Sequence, residues 1–291
     1  MSVMTEAGLS IEPRSDAPLG AFVHGLDAAK PLGPELGDAL MAAWRKHLVL
    51  IARDQSLSDR QLIDFSRTFG ELDPPGPNPY GGPFLADYPD INVISNVVEG
   101  GRPIGNLGDG EAVWHADMTY VDVPPKGAVL YALEVPADGG DTYFADMFAA
   151  YEALPADFKD RIAGLAAIHD AAHNSAGMLR KGYEEVTDVR GTPGARHPLV
   201  RTDPATGRKC LFLGRRPHAY IVGLEVAESD ALLDALWAHV AEPRFAMAHH
   251  WRKGDLLMWL NLSVLHRRDA FDPAARRILH RTQIKGEEVI A

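Results

Sequence analysis

Cysteine is almost absent: Cys210 is the single one in 291 residues, so no intrachain disulfide can form. A fold without disulfides suits a reducing compartment, and a cytoplasmic protein is expected. Cys210 opens the apolar run Cys210-Leu211-Phe212-Leu213 and is expected to be a core side chain, not a nucleophile. Long apolar runs are missing too. No stretch approaches about 18 consecutive apolar residues, so no membrane-spanning helix is expected. The first twenty residues lack a signal-peptide core, and Glu6 and Glu12 argue against a transit peptide. Neither common glycine-rich phosphate-binding motif occurs, nor a repeat or a low-complexity linker. Positive charge is in deficit: 29 Lys and Arg stand against 40 Asp and Glu, for a net charge of -11 and a pI of about 5.5. An acidic surface does not attract a phosphate backbone, so neither nucleic acid nor a membrane is an expected partner.

What is present is an ordinary globular balance, 46% hydrophobic and 24% charged, with enough chain for one large domain over 1–291. Helical periodicity covers 36–47, followed by the buried strand pattern of residues 48–52. Ser58 and Gln61 form a capping box for a helix that ends at Gly70. Strand patterns lie near 91–97, 113–120, 127–136, 196–201, 209–214, 256–260 and 278–285. Helices fit 146–154, 156–166 and 227–241. Residues 73–90 and 100–112 are rich in Gly and Pro, and 171–192 are polar and irregular. The segments 73–90 and 171–192 are expected to be mobile loops over a site. Many short strands with a few helices predict an α+β, mainly β chain: a jelly-roll-like barrel with helices outside.

On a strand, residues i and i+2 share a face, so His115 and Asp117 can converge on one metal. Two histidines and one carboxylate make the facial triad of non-haem Fe(II) oxygenases, with the second histidine to come from elsewhere. A His-x-Asp triplet occurs about once by chance in a chain of this composition, and alone it reads better as a half-buried polar pair than as a metal site.

Its context is more specific. WHADMTY at 114–120, GGDT at 139–142, His266 and RRILHR at 276–281 follow in an order that resembles the taurine dioxygenase and 2,4-dichlorophenoxyacetate dioxygenase family (TauD/TfdA). FSRTFGELD at 65–73, MFAAYEALP at 147–155 and HPLVRTDPATGRK at 197–209 extend the likeness over nearly the whole chain. The resemblance implies a double-stranded β-helix and an Fe(II)- and 2-oxoglutarate-dependent dioxygenase, with dioxygen as co-substrate and succinate and carbon dioxide as coproducts. It implies His115, Asp117 and His266 as iron ligands, Thr142 and Arg277 around the distal part of 2-oxoglutarate, and Arg281 on an anionic group of a small acidic substrate. A planar guanidinium suits a carboxylate because it can donate two charge-assisted bonds to it. In a strand Arg277 and Arg281 share one face, read as inward, while Arg276 and His280 share the other, read as facing solvent or an interface. His197, His249 and His250 are expected to be structural or surface groups. A homo-oligomer, dimer or tetramer, is also implied.

The taurine pocket is not reproduced. Pro75 and Asn78 stand where taurine dioxygenase has His and Tyr, with Tyr80 nearby; Glu111 replaces an Asn, and Ala171 and Pro217 replace two Phe. Taurine is therefore not the expected substrate, and a bulkier acid is. Asp117 disfavours halogenation, whose catalysts carry a small residue there, so hydroxylation is expected. Leu260 and Leu262 flank Asn261 where relatives carry polar residues, which reads as an altered surround of His266 or as local repacking. The first alternative motivates a catalytically impaired, ligand-binding member. A zinc hydrolase on the same ligands explains neither Arg277 nor the family motifs.

Overall fold

The computed structural model describes residues 3–4, 8–76, 82–110 and 112–290. Two sheets face each other. The larger is built around the antiparallel strands Val49–Ala52, Leu256–Trp259, Gly127–Glu134, Ile278–Ile284 and Asn92–Ser95, which neighbour one another in that order. The smaller has the order Ala112–His115, Val264–Arg268, Thr142–Asp146, Ala246–His249. This is the expected double-stranded β-helix. Short strands at Ala166–Ile168, Arg196–Pro198, Val200–Thr202, Lys209–Leu211 and Tyr220–Ile221 form an appendage beside it.

Strands of the large sheet are apolar on both faces because both faces are covered. Alternation still sorts them. Ile51, Leu130, Leu257 and Leu279 join the core between the sheets, where Phe144 and Leu265 meet them. Leu50, Val129, Met258 and Ile278 face a second core under the helices, with Trp44 and Phe65. Those helices are Pro34–His47 and Asp59–Arg67. The second starts at the predicted capping box: Gln61 N–H donates to Ser58 Oγ (3.3 Å) and Ser58 N–H to Gln61 Oε1 (2.9 Å). The helices Met147–Glu152, Ala156–Ile162 and Val226–Val240 also lie where periodicity places them. Cys210 is fully buried, and burial pushes its thiol up to about 11, as befits a core residue.

Three expectations need correction. His280 faces neither solvent nor an interface: it is buried, and its Nδ1 meets Asp59 Oδ1 at 2.6 Å under the helix Asp59–Arg67. Its alternation was right, but a helix covers the outward face; Thr282 likewise meets Ser66 there at 2.6 Å. Arg276 is exposed and pairs with Glu134, as expected of that face. The segment 100–112 is not all loop, since Arg102–Pro103 pairs with Val98–Glu99 and Asn106–Leu107 runs parallel to Asn92–Ser95. The strand across 113–120 stops at His115.

His169 lies in the appendage, with both ring nitrogens buried and without a hydrogen-bond partner among the described residues. Burial, then the neighbouring His197, pushes its pKa down to about 3. Because the folded value lies below the unfolded one, its contribution to stability is present above pH ~6.5 and is lost as pH falls toward 3. The expected slope is about 1.4 kcal/mol per pH unit for this one group. Urea unfolding of His169→Gln at pH 7.5 and pH 5 should therefore show a smaller loss than the parent; parallel losses would mean the imidazole is charged in the folded chain.

Candidate metal centre and active site

His115 and His266 are brought together by strand register alone. They are directly opposed Cα partners in the antiparallel pair of the small sheet, and their ring centroids lie 4.1 Å apart. Asp117 does not share their strand. It sits two residues past the strand end, where Ala116 N–H donates to Gly214 O (2.9 Å) and turns the chain. Gly214 has φ +67°, and a Cβ there would lie 2.3 Å from the His169 ring, so only glycine fits. Asn261 completes the placement: its Oδ1 accepts from Asp117 N–H (2.7 Å), and its Nδ2 donates to Asp117 O and Pro125 O (2.9 Å each).

Asp117 Oδ1 is 3.9 Å from His115 Nε2, and Asp117 Oδ2 is 3.6 Å from His266 Nε2. All three side chains are buried, and their ligand atoms lie within 4.8 Å of one another. The donor set fits a divalent metal on protonation grounds too. Val113 O can only accept, so the 2.7 Å contact fixes the proton of His115 on Nδ1 and leaves a lone pair on Nε2. Burial lowers the pKa of His115, and burial followed by the charge of His115 lowers that of His266, so both favour the neutral, ligating form. Burial opposes ionisation of Asp117, but Arg281, His266 and His115 outweigh it and hold the carboxyl below its usual range. Arg281 Nη1 donates to both carboxylate oxygens, at 2.8 and 2.9 Å.

Two cavities meet at this cluster, sharing Leu107, His115 and Arg281 in their walls. One, of about 50 Å³, is lined by Thr142, Trp259, His266, Arg268 and Arg277. Arg277 is 2% exposed, and burial followed by the charge of Arg268 pushes its pKa to about 9. The Thr142 hydroxyl accepts from Trp251 Nε1–H (2.9 Å), leaving its own proton to donate. The other, of about 90 Å³, is lined by Tyr120, Asp170, His173, Arg180, Arg215 and Arg281 among others.

Of the expected substrate residues, Asn78, Tyr80 and Glu111 lie outside the described residues. Ala171 and Pro217 are not on the chamber wall. Ala171 is buried with its N–H on Pro193 O and its carbonyl under Arg180, while the adjacent Asp170 and Arg215 take the lining positions. Leu260 and Leu262 turn away from His266 into a separate cavity of about 610 Å³ beside Met41, Trp44 and Phe148. Their place there fits the local-repacking alternative. His197 binds Thr119 O and Val121 O, His249 pairs with Asp255, and exposed His250 pairs with Asp141, all structural or surface roles as expected. Asp170, His173 and His218 also cluster, but Asp170 already accepts from Arg215 (2.6 Å) and His173 (2.9 Å), which reads as an ion-pair network.

Asn261, Arg268, Arg180 and Arg215 escaped the sequence reading. Parity with His266 was the available signal for Arg268; for Asn261 it was the polar residue retained between two leucines. Asn261→Ala should weaken Mn(II) binding by about 10- to 100-fold, read by competition titration of folded protein. Unchanged affinity would show that Asp117 is held without it.

The model of the taurine catabolism dioxygenase TauD/TfdA family matches residues 11–283. The chain is 36% identical over 293 residues to the (S)-phenoxypropionate/alpha-ketoglutarate-dioxygenase of Sphingobium herbicidovorans, covering 94% of this chain and 93% of that protein. It is 32% identical over 292 residues to pentalenolactone F synthase of Streptomyces arenae, with 93% of each covered. Among solved structures, AAD-2 in complex with Mn(II) and N-oxalylglycine superposes with a TM-score of 0.79 at 31% identity, over 97% of this chain and 99% of that one. A Mn(II) ion and a 2-oxo-acid analogue in a structure so similar match the donor set and the arginine-lined cavity beside it. The chain belongs to the TauD/TfdA family of Fe(II)- and 2-oxoglutarate-dependent dioxygenases.

Proposed function

We propose that the protein hydroxylates an unactivated C–H bond of a small organic acid with a bulky apolar part, an aryloxyalkanoic acid being the favoured class. The observation that carries this reading is the arginine wall beside the triad. Arg281 lies at Asp117, Arg215 is paired with Asp170, and Arg180 comes from the 171–192 segment. Arg180 has no carboxylate within ion-pair distance among the described residues; its guanidinium lies 4.1 Å from the Tyr120 ring centroid and donates to Ala171 O. Such a cation at a cavity wall suits a carboxylate. The relative named for phenoxypropionate supports an aryloxy acid.

His115, Asp117 and His266 would hold iron, which with 2-oxoglutarate and dioxygen would supply the oxidant for a C–H bond, with succinate and carbon dioxide as coproducts. The chain supplies placement. Thr142 and Arg277 orient 2-oxoglutarate, Arg281 keeps Asp117 ionised, and Arg180 holds the substrate acid with its reacting carbon toward the metal. Hydroxylation next to an ether oxygen gives a hemiketal or hemiacetal, which breaks its C–O bond to release a phenol and an oxo acid. The position of Leu260 and Leu262 on another cavity counts against an inactive, ligand-binding member.

Anaerobic protein with Fe(II) should develop a weak visible charge-transfer band on titration with 2-oxoglutarate, lost in His115→Ala and Arg277→Ala. In air, (S)-2-phenoxypropionate or 2,4-dichlorophenoxyacetate should stimulate succinate formation well above taurine, and Arg180→Ala should raise KM for the acid by about 10- to 100-fold. Absence of the band, or equal stimulation by taurine, would sink the proposal.

A further inference from the structure

The subsite around Thr142 and Arg277 contains a second buried guanidinium. Arg268 lies two residues beyond His266 on the strand Val264–Arg268, so both side chains turn to the same face. Its Cα partner across the sheet is Thr142. The residue is 5% exposed and lines the same cavity as Thr142, His266 and Arg277. Its guanidinium carbon is 5.5 Å from the Phe271 ring centroid and that of Arg277 is 5.8 Å from the same ring, so the two cations flank one side chain.

One nitrogen of Arg268 is engaged: Nη2 donates to Leu107 O (3.0 Å) and to Gly110 O. Two other donors of Arg268, Nε and Nη1, have no partner among the described residues, and neither has Nε of Arg277. No carboxylate lies within ion-pair distance of either arginine among those residues, and Asp109 and Asp141 act on them only from farther away. Two buried like charges with unused donors on one cavity are a costly arrangement without an anion between them. A carboxylate has about four acceptor sites, enough for both guanidinium groups.

We propose that Arg268 is a second binding residue for the distal carboxylate of 2-oxoglutarate, donating from an unpartnered N–H beside Arg277 while the bonds from Nη2 to Leu107 and Gly110 hold its plane in place. The proposal rests on the dioxygenase reading above and adds a residue to that site.

The test uses the full chain, anaerobic with Fe(II), and reads the charge-transfer band during titration. In Arg268→Gln the apparent Kd for 2-oxoglutarate should rise by about 10- to 100-fold, and less in Arg268→Lys. 2-Oxobutyrate, which presents the same chelating end but no distal carboxylate, should bind parent and variants alike. Equal weakening of both acids would reveal a purely structural role and overturn the proposal, as would an unchanged Kd for 2-oxoglutarate. If Arg268→Gln does not fold, Arg268→Lys decides by the same two titrations. A parent without any band overturns the dioxygenase reading and this inference with it. A band lost in Arg277→Ala but untouched in Arg268→Gln overturns this inference alone.

Discussion

One antiparallel pairing organises the site. The strand Ala112–His115 lies against Val264–Arg268 with His115 opposite His266, and the two metal-facing imidazoles meet without help from any loop. The same central strand pairs on its other side with Thr142–Asp146, which sets Thr142 opposite Arg268 and Phe144 opposite His266. A slip of one residue in either pairing would send these side chains to the other face. The cavity lined by Thr142 and Arg277 is thus the lateral continuation of the His115–Asp117–His266 cluster across one sheet, and the large sheet closes it with Arg277 and Arg281.

Rigidity comes from how that second sheet is covered. Its inward face carries Arg277, Leu279 and Arg281; its outward face carries Ile278, His280, Thr282 and Ile284, locked under the helix Asp59–Arg67 by the Asp59 and Ser66 contacts. A strand packed on both faces cannot tilt to relieve repulsion among buried arginines. Arg281 finds its counter-ion in Asp117, and Arg215 finds one in Asp170. The Arg281 guanidinium, with His266 and His115 beside it, thus holds the Asp117 carboxyl below its usual range despite full burial.

Much of this was legible in the residues. Alternation sorted Arg277 and Arg281 inward, and the Ser58–Gln61 pair placed a helix start. The His115–Asp117 spacing pointed to a shared metal, although the geometry that achieves it is a turn past a strand end and not a continuous strand. What alternation cannot tell is what lies over a face, which is why His280 was taken as outward to solvent. Proximity in sequence left two readings open at Leu260 and Leu262, which neighbour His266 along the chain but line a different cavity. Ala171 and Pro217 are one and two residues from the true wall residues Asp170 and Arg215, an offset that correspondence by sequence position does not resolve. The strands Thr142–Asp146 and Ala246–His249 are too short for a pattern of period two to stand out.

The distribution of charge then bears on selectivity. The chain carries -11 overall, yet Arg180, Arg215, Arg268, Arg277 and Arg281 converge on two adjoining cavities. At physiological salt the acidic surface is screened beyond about 8 Å, so it neither steers nor strongly repels a small acid at a distance. Inside, where the effective dielectric is low and water is partly excluded, the same unit charges act several times more strongly. Discrimination therefore falls to entry: a ligand gains from these arginines only if its carboxylate reaches into the cavity while its remaining bulk fits the wall. A dianion such as 2-oxoglutarate can meet the Arg277 side with one carboxylate and the metal with the other end, whereas an acid with one carboxylate and an apolar body has a reason to turn that body away from the arginine cluster. On the proposed function, the two reactants of one turnover would be sorted into adjoining cavities by the number and spacing of their charges, with the His115–Asp117–His266 cluster at the seam between them.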